Sequence, residues 1–255
     1  MTGFQEKTIV ITGAGGGIGG ATARRFAEMG GAVAALDRDL AAAERTAAGI
    51  RAAGGIARAF ECDITDRSMV EAAVAATEAA LGPIAVLVNN AGWDVFKPFL
   101  KTTPAEWDRL IAINLVGALH MHHVVLPLMV GRKAGRVVNI SSDAARVGSS
   151  GEAVYAACKG ALVALSKTLA REHARDGLTV NVVCPGPTET ALFEGFRQGA
   201  RDPDRLTESF RRAIPLGRLG QPDDLPGAIT FLASDGAAFI TGQVLSVSGG
   251  LTMAG

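Results

Sequence analysis

Short runs of β-branched and other apolar residues alternate along the chain with longer, alanine-rich stretches of helical composition. The short runs predict strands at 7–12, 32–37, 56–61, 84–89, 135–140, 178–183 and 243–248. The longer stretches predict helices near 17–29, 39–53, 66–81, 104–130, 152–175 and 222–234. Because repeated strand–helix units require right-handed crossovers, we expect an α/β fold with a doubly wound parallel sheet of about seven strands and helices on both faces.

The chain shows no linker, internal repeat or low-complexity segment, so we expect residues 1–255 to form one domain. One long stretch, 185–220, is predicted to be irregular because it is rich in Gly, Pro and Arg. A loop of that length inside a compact domain usually has a function. We interpret 186–220 as a mobile lid over a substrate.

Charge and cysteine usage narrow the classes of partner. The 25 basic and 25 acidic residues balance, which favours a small-molecule partner over nucleic acid or a membrane surface. The three cysteines, Cys62, Cys158 and Cys184, are too widely spaced for a disulfide framework or a zinc site. With no signal-peptide pattern before the first strand, these features predict a cytoplasmic protein. The apolar stretch 110–130 contains Asn, His and Pro, and is interpreted as a buried or interface helix.

A glycine-rich turn joins the first predicted strand to the first predicted helix, and its sequence is Thr12-Gly13-Ala14-Gly15-Gly16-Gly17-Ile18-Gly19-Gly20. Glycines allow a tight turn and let the backbone approach a pyrophosphate at a helix N-terminus. The turn alone is a weak signal, because an ordinary loop can be rich in glycine. Its place after the first strand predicts a bound dinucleotide, with contacts from Gly13, Gly16, Gly17, Ile18 and Gly19.

An acidic residue ends the second predicted strand and strengthens that interpretation. The Asp37 carboxylate can accept hydrogen bonds from the hydroxyls of an adenosine ribose. The same negative charge repels a ribose 2′-phosphate, and the glycine-rich turn holds no Arg or Lys that could bind one. We therefore expect the cofactor NAD in preference to NADP.

Tyr155 is the only tyrosine in the chain, and Lys159 follows it by four residues within a predicted helix. Side chains at that spacing lie on one helix face, so the ammonium can approach the phenol oxygen. We expect the positive charge to lower the pKa of Tyr155 and to make it a base near neutral pH. The alternative is a packed aromatic ring beside a solvated lysine.

Several strand ends carry further polar or glycine motifs, namely Asp63, Asn89-Asn90-Ala91-Gly92, Ser141-Ser142 and Pro185-Gly186. Together with the glycine-rich turn and Tyr155-x-x-x-Lys159, this ordered set resembles the short-chain dehydrogenase/reductase family over nearly the whole chain. The resemblance implies a Rossmann-like domain that transfers hydride between an alcohol and a nicotinamide. It also implies a homo-oligomer, commonly a tetramer, built by the helices at 104–130 and 152–175.

The resemblance assigns roles residue by residue. In the active site it implies that Tyr155 is the base, Ser142 binds the substrate oxygen, Lys159 grips the nicotinamide ribose and Asn114 holds a water in a proton relay. Along the cofactor it implies contacts from Asp63, Ile64, Asn90, Gly92, Pro185, Gly186, Thr188 and Thr190. Thr188 stands where members often have Ile or Val, so its cofactor contact is the least secure of these.

The substrate is narrowed by local segments such as NNAGWDVFKPF and SSDAARVGSSGEAVYAACKG. These are similar to segments of family members that oxidise a ring alcohol β to a coenzyme A thioester. Trp93 would lie beside the ring, and arginines would bind the phosphates of a hydroxyacyl-CoA: Arg146 with Arg197, Arg201, Arg205, Arg211 and Arg212. The alternatives are a reductase or dehydrogenase of linear acyl thioesters and, from another class, a non-catalytic dinucleotide-binding scaffold or redox sensor.

The segment His120-Met121-His122-His123 is the remaining candidate for a metal site, because His120 and His123 share a helix face. No carboxylate or cysteine accompanies them at ligand spacing. A helix-interface role is favoured, and no metal is predicted.

Overall fold

The protein is described from a computed structural model covering residues 3–199 and 202–254, without the side chain of Phe196. Seven parallel strands form one sheet in the order β3-β2-β1-β4-β5-β6-β7. Their bounds are β1 Thr8–Thr12, β2 Ala32–Asp37, β3 Ile56–Glu61, β4 Ile84–Asn89, β5 Gly135–Ile140, β6 Leu178–Pro185 and β7 Val244–Val247. The predicted fold class is confirmed, and the strand order reverses between β1 and β4, where doubly wound sheets bind their ligands.

Ten α-helices are described in residues 3–199 and 202–254. They are α1 Gly17–Glu28, α2 Leu40–Ala52, α3 Arg67–Leu81, α4 Pro104–Ile111, α5 Gly117–Arg132, α6 Ala144–Val147, α7 Ala153–His173, α8 Ala191–Gln198, α9 Pro203–Ala213 and α10 Pro226–Ala233. Side-chain caps set several of the starts: Asp39 accepts from the Ala42 amide before α2, and Asp66 accepts from the Ser68 amide before α3.

The inner strands β1, β2, β4, β5 and β6 are buried on both faces, which explains why they read as continuous apolar runs, whereas the edge strands β3 and β7 are partly exposed. Ile9 and Ile11 of β1 point to one face, where Phe26 of α1 and Ile229 of α10 pack against them. Val10 lies on the other face, in a cluster with side chains of α3, α5 and α7. This double core fixes the carboxyl ends of the strands in one row and thereby positions the residues that follow them.

The helix predicted over 104–130 contains a change of helical type. α4 and α5 are joined without a loop by a π-helical segment, Ala112–Val116, which contains the buried Asn114. A π-helical turn widens the helix by one residue and is often found at functional sites. The sequence gives the length of this helix but not the interruption.

The segment predicted to be an irregular lid is largely helical, so that part of the prediction is wrong. α8 and α9 occupy most of it, and its two ends are tied by hydrogen bonds from the Gly220 amide to Pro187 O at 2.9 Å and from the Glu189 amide to Gly220 O at 2.9 Å. Arg201, one of the predicted phosphate-binding arginines, lies outside the described residues.

Two helical stretches, Pro104–Arg132 and Ala153–Asp176, are long and apolar enough to cross a membrane by length and composition alone. That is weak evidence, because core helices of water-soluble folds pass the same test. Both contribute side chains to the core: Met121 and Val125 of α5 and Ala170 of α7 lie in the cluster on one face of the sheet. Their apolar character is accounted for by this packing and by their half-buried outer faces.

Candidate active site

A cavity of about 1260 Å³ lies along the carboxyl ends of the strands. Its lining runs from the glycine-rich turn after β1, past the turns after β2 to β6, to side chains of α8, α9 and the C-terminal segment. The strand order explains the crevice. The connections from β1 and from β4 run to opposite sides of the sheet, so no helix covers the carboxyl ends of these two strands. The cavity is large enough for a dinucleotide and a second ligand.

The glycine-rich turn fits a phosphate group because side chains would fill or distort it. Gly13 has φ +64°, and a Cβ there would lie 2.9 Å from the Ala91 Cα. Gly16 and Gly17 line the cavity at the N-terminus of α1, where no side chain caps the helix. Their free amides and the helix dipole suit a pyrophosphate.

Gly19 has a different role from the one predicted. It is buried outside the cavity lining, and a Cβ there would lie 2.2 Å from Gly13 O and 2.5 Å from the Asn90 Nδ2 atom. Gly19 therefore lets α1 approach the turn, and its contact with a cofactor stays a prediction.

Asp37 ends β2 with its carboxylate held at the edge of the cavity. One oxygen accepts a hydrogen bond from the Gly15 amide at 2.9 Å, and the other accepts from the Asp39 amide at 3.0 Å. These bonds orient the carboxylate and leave lone pairs for a ribose diol. Arg38, which the sequence analysis did not use, also lines the cavity here.

Three further predicted cofactor residues line the cavity, two of them after β3 and one after β4. Asp63 is oriented by Thr65, whose amide and hydroxyl donate to Oδ1 at 2.9 and 2.7 Å. Ile64 is buried and packs tightly against Gly117 of α5. A Cβ at Gly117 would collide with the Ile64 side chain. Asn90 uses its amide to hold the turn after β1, with Nδ2 donating to Thr12 O at 3.0 Å and Gly13 O at 3.2 Å. Asn90 thus shapes the cofactor cleft as much as it lines it.

The remaining predicted cofactor residues follow β6 and β4. Pro185, Gly186, Thr188 and Thr190 all line the cavity. A Cβ at Gly186 would lie 2.8 Å from the Ser248 Cβ, so this position has no room for a side chain. The Thr188 hydroxyl donates to Gly186 O at 2.8 Å, and Thr190 caps α8 through the Phe193 amide at 3.2 Å. Gly92, which follows β4, lines the cavity beside Lys159.

Ser142, Tyr155 and Lys159 are brought together at the centre of the cavity. The Ser142 oxygen accepts from the Ala144 amide at 3.2 Å, and interaction with the Ser142 hydroxyl lowers the pKa of Tyr155. Lys159 donates to Ile140 O at 3.0 Å, and its Nζ lies 5.6 Å from the centroid of the Tyr155 ring. Both residues are on α7, and the Ser141 hydroxyl fixes that helix to β5 by donating to Lys159 O at 2.9 Å.

The predicted lowering of the Tyr155 pKa is wrong for the protein without a bound cofactor. Burial and the negative charges of Asp94 and Glu152 raise the pKa of Tyr155, while the hydrogen bond from Ser142 lowers it. Burial also lowers the pKa of Lys159 to about 8. Desolvation therefore outweighs the attraction between phenolate and ammonium on which the prediction was based.

Asn114 is almost fully buried behind this group, at 1 % exposure. Its Nδ2 donates to Trp93 O at 2.7 Å and to Leu110 O at 3.0 Å, and its Oδ1 accepts from the Trp93 amide at 3.2 Å. The side-chain amide thus fixes the segment after β4 against the π-helical turn. Its role in a water relay stays a prediction.

The two predicted substrate residues lie in different places. Trp93 lines the cavity, and the Arg109 guanidinium lies over its ring at 4.1 Å from the centroid. Arg146 is not among the residues that line the cavity. Its guanidinium donates to Ser246 Oγ at 2.9 Å and to the Ala254 carbonyl. Arg146 holds the C-terminal segment against β7, so we remove it from the proposed substrate site.

The lid arginines are also directed elsewhere within the described part of the chain. Arg197 pairs with Glu194 at 2.8 Å and Asp204 at 3.4 Å, and Arg211 and Arg212 pair with Glu208. No described arginine of the lid lines the cavity. The arginine that lines the cavity beside Trp93 is Arg109. No sequence motif points to it, because α4 begins more than ten residues after the turn that follows β4.

The three neighbouring histidines of α5 have separate partners. His120 Nδ1 contacts Ile64 O at 3.0 Å, and His123 Nδ1 contacts Arg67 at 3.1 Å. His122 is buried, donates from Nδ1 to Ala118 O at 2.6 Å, and has its pKa lowered to about 4 by desolvation. Within the described residues, no group of three or more His, Cys, Asp or Glu could hold a metal ion.

Two acidic side chains of the cavity, Asp94 and Glu152, were not predicted. Asp94 comes two residues after Gly92, and Glu152 comes directly before α7 and three residues before Tyr155. Their closeness to motifs of the active site is a signal in the sequence, but their contact depends on how two loops meet.

Comparison with known proteins agrees with this fold. A family model described as enoyl-(acyl carrier protein) reductase matches residues 13–252. The chain is 38% identical to 2-(S)-hydroxypropyl-CoM dehydrogenase 3 of Xanthobacter autotrophicus, covering 98% of each. It is 37% identical to (2S)-[(R)-hydroxy(phenyl)methyl]succinyl-CoA dehydrogenase subunit BbsD of Thauera aromatica, again covering 98% of each.

A solved structure, NAD⁺-bound xylitol dehydrogenase, superposes with a TM-score of 0.93 at 34% identity, covering 97% of this chain and 99% of that one. The fold and the Ser-Tyr-Lys group define a nicotinamide-dependent oxidoreductase. The chain belongs to the short-chain dehydrogenase/reductase family.

Proposed function

We propose that the protein oxidises a secondary alcohol to a ketone with NAD. The observation that carries this proposal is the Ser142, Tyr155 and Lys159 group, which lies between a dinucleotide cleft and a chamber with aromatic walls. Trp93, Phe96, Phe193 and Phe210 contribute to that chamber. An apolar chamber next to an acid–base group suits a substrate with a hydrocarbon ring or chain.

The chain's own residues supply the proton chemistry. Ser142 donates a hydrogen bond to the alcohol oxygen, and Tyr155 removes the proton from it. Lys159 remains largely protonated at neutral pH, because its pKa is about 8, and its charge stabilises the phenolate. The cofactor, when bound at the glycine-rich turn and Asp37, supplies a hydride acceptor and a positive charge near Tyr155.

The proposed preference for NAD rests on Asp37. Replacement of Asp37 with Ala should weaken NAD binding and admit NADP, because the repulsion is removed and Arg38 remains in the lining. Glu61, which pairs with Asp37 in register on β3 but does not line the described cavity, provides the control Glu61→Ala. The check is kcat/KM for both cofactors; equal use of NAD and NADP by the unaltered protein contradicts the assignment.

For the substrate we propose 2-hydroxycyclohexane-1-carboxyl-CoA, oxidised to 2-ketocyclohexane-1-carboxyl-CoA in anaerobic breakdown of benzoate and cyclohexanecarboxylate. The sequence segments around the site resemble those of 2-hydroxycyclohexanecarboxyl-CoA dehydrogenase, and the BbsD relative is named for an acyl-CoA substrate. Trp93 would lie beside the ring, and Arg109 would replace Arg146 and the lid arginines as the cation near the coenzyme A phosphates. The second candidate is a linear 3-hydroxyacyl or 3-oxoacyl thioester.

The test is a screen of cyclic and linear hydroxyacyl-CoA thioesters with NAD, each beside its N-acetylcysteamine thioester. The proposal predicts the fastest turnover for the cyclic CoA thioester. In Arg109→Gln, kcat/KM for the CoA thioester should fall to that of the N-acetylcysteamine thioester, because the variant removes binding energy from the remote part of CoA. Better turnover of linear chains supports the second candidate. Absence of turnover with any alcohol indicates the non-catalytic dinucleotide-binding protein.

We further propose a cytoplasmic homo-oligomer, a tetramer by analogy with the family. The outer face of α7 carries small exposed residues, including Ala157 and Ala164, which would let two helices pack closely. Ile111, the last residue of α4, and Leu119 of α5 are also partly exposed, at 39% and 38%. Burial of these faces against a second copy would explain their apolar composition.

A further inference from the structure

Asp94 and Glu152 meet at the substrate end of the cavity, where two loops are fastened together. The Lys97 amide donates to Gly151 O at 2.9 Å. Gly151 has φ +89°, and a Cβ there would lie 2.3 Å from the Phe96 ring, so the loops are in close contact. Both carboxyl groups line the cavity and are half-buried. Their position results from the fold and not from chance encounter of surface side chains.

The side chains of Asp94 and Glu152 interact, because, besides burial, a hydrogen-bonding contribution from Glu152 and its negative charge both raise the pKa of Asp94. The Asp94 Oδ1 atom also accepts from the Val95 amide at 2.7 Å. Burial, the contact with Glu152 and its negative charge raise the pKa of Asp94 to about 8. Asp94 is therefore largely protonated at neutral pH, and the negative charge that acts on it is that of Glu152.

The pair is near the reacting groups. The charges of both carboxyls raise the pKa of Tyr155, and the charge of Asp94 acts on Lys159 as well. The other cationic side chain at this end is Arg109, which is held over Trp93. Asp94, Glu152, Ser142 and Tyr155 all line one cavity, so a substrate whose alcohol oxygen contacts Ser142 and Tyr155 would share that cavity with the pair.

We propose that Asp94 and Glu152 are the specificity-determining residues of this cavity, which accept a thioester, ester or amide substituent next to the carbinol and reject a carboxylate there. This inference rests on the proposed alcohol oxidation. The protonated Asp94 carboxyl donates a hydrogen bond to a carbonyl oxygen of the substituent. A carboxylate substituent meets the negative charge of the pair and loses affinity through like-charge repulsion. The cavity then prefers an esterified acid over a free carboxylate without an arginine beside the thioester group.

Binding without turnover tests this inference separately from the proposed function. The protein is saturated with NADH, so alcohols cannot be oxidised, and titrated calorimetrically at pH 7 with 2-hydroxycyclohexanecarboxamide and with 2-hydroxycyclohexanecarboxylate. These ligands differ in charge and hardly in shape. We expect the amide to bind at least about 10-fold more tightly, a modest ratio for one charge pair in a partly desolvated site.

Variants of Asp94 and Glu152 show whether these two residues cause the preference for the amide over the carboxylate. Asp94→Asn and Glu152→Gln each leave one ionisable carboxyl, so both should keep the preference for the amide. The double variant removes both and should bring the ratio of affinities within about 2-fold of unity, mainly by tighter carboxylate binding. A matched control, Glu28→Gln with Glu71→Gln, removes two exposed carboxylates of α1 and α3 that pair with Arg25 and Arg67, and should leave the ratio unchanged.

Equal affinity for the two ligands, or no binding of either, overturns the inference on the unaltered protein alone, whether or not the variants fold. The inference is also overturned if the preference for the amide survives in the Asp94→Asn, Glu152→Gln double variant. The same holds if the Glu28→Gln, Glu71→Gln control loses that preference to the same extent. If the preference behaves as expected while no alcohol is oxidised with NAD, the proposed function fails and the specificity assignment stands.

Discussion

The acidity of Tyr155 is set by side chains that come from three separate segments of the chain. Ser142 stabilises the phenolate by a hydrogen bond, while Asp94 and Glu152 oppose it by their charges. The largest influence is burial of the phenol, which is 8 % exposed. Without cofactor the proton therefore stays on the phenol, and a positive charge in the cavity would favour the phenolate that the proposed mechanism needs.

A pH-dependent stability follows for Asp94. Its pKa of about 8 in the folded protein lies above the 3.8 of an unperturbed aspartic acid, so the folded state holds the proton more tightly than the unfolded state. The stabilisation from this proton is complete below about pH 4 and is lost as the pH rises toward 8. Asp94→Asn, which cannot lose a proton, should gain melting temperature relative to the unaltered protein between pH 5 and 8.

Calorimetric melting at several pH values measures this difference. Asp108→Asn, an exposed change on α4, is the control and should show no such trend. A melting temperature difference for Asp94→Asn that is constant from pH 5 to 8, or that shrinks, contradicts a raised pKa at this site.

The sequence is informative about residues whose motifs are local and less so about residues whose partners are distant. Ser142, Tyr155, Lys159 and Asp37 were named from strand ends and helix spacing, and the cavity contains all of them. The Arg146 assignment was wrong because its partner Ser246 and the C-terminal segment are about 100 residues away. The acid pair was missed because a hydrogen bond between two loops leaves no periodic pattern.

At the scale of elements, the approach of α1 to the turn after β1 depends on one position. Gly19→Ala places a Cβ 2.2 Å from Gly13 O, and neither that backbone atom nor the Asn90 amide can move without disturbing β1 or β4. We expect a loss of stability of about 1–3 kcal/mol, the usual cost of overpacking, together with weaker NAD binding.

Gly49→Ala is the matched control for that prediction, because nothing lies within 4 Å of a Cβ at this exposed position in α2. It should leave stability unchanged or raise it by up to about 1 kcal/mol, since Ala is the better helix former. Denaturant unfolding and calorimetric NAD titration measure both effects. Equal stability of the two variants would refute tight packing at Gly19.

Element prediction from the sequence worked where apolar periodicity is strong. Each of the seven strands was placed within two residues at either end, because buried parallel strands give continuous apolar runs. α8 and α9 were missed, because the glycines and prolines around them favour a loop. Their apolar faces form a contact only in the folded protein, where the Phe193 and Phe210 rings lie 5.9 Å apart.

At the scale of the whole molecule, the proposed oligomer predicts a consequence for α7. Ala164→Arg puts a long charged side chain on its exposed face and should lower the mass in solution, because close helix packing is blocked. Ala48→Arg, at an exposed position of α2, makes the same chemical change on another helix and should have no effect. Light scattering after size-exclusion chromatography measures the mass; a monomeric unaltered protein contradicts the oligomer.

The topology of the sheet explains why residues far apart in sequence form one site. The turns after β1, β4, β5 and β6 all end at the same edge, because every strand runs in the same direction. Parallel strands bring the carboxyl ends together whatever lies between them in the chain. This part of the architecture follows from the strand–helix alternation, whereas loop contacts such as the acid pair require the folded structure.

The central claim is that the Tyr155 hydroxyl is the acid–base group of an alcohol oxidation, and Tyr155→Phe tests it most directly. Phe keeps the ring and removes the hydroxyl, so folding and NAD affinity should change little. The account predicts that kcat for alcohol oxidation falls by about 100-fold or more, the scale of lost general acid–base catalysis. Near-normal kcat in a folded variant that binds NAD as the unaltered protein does would contradict it.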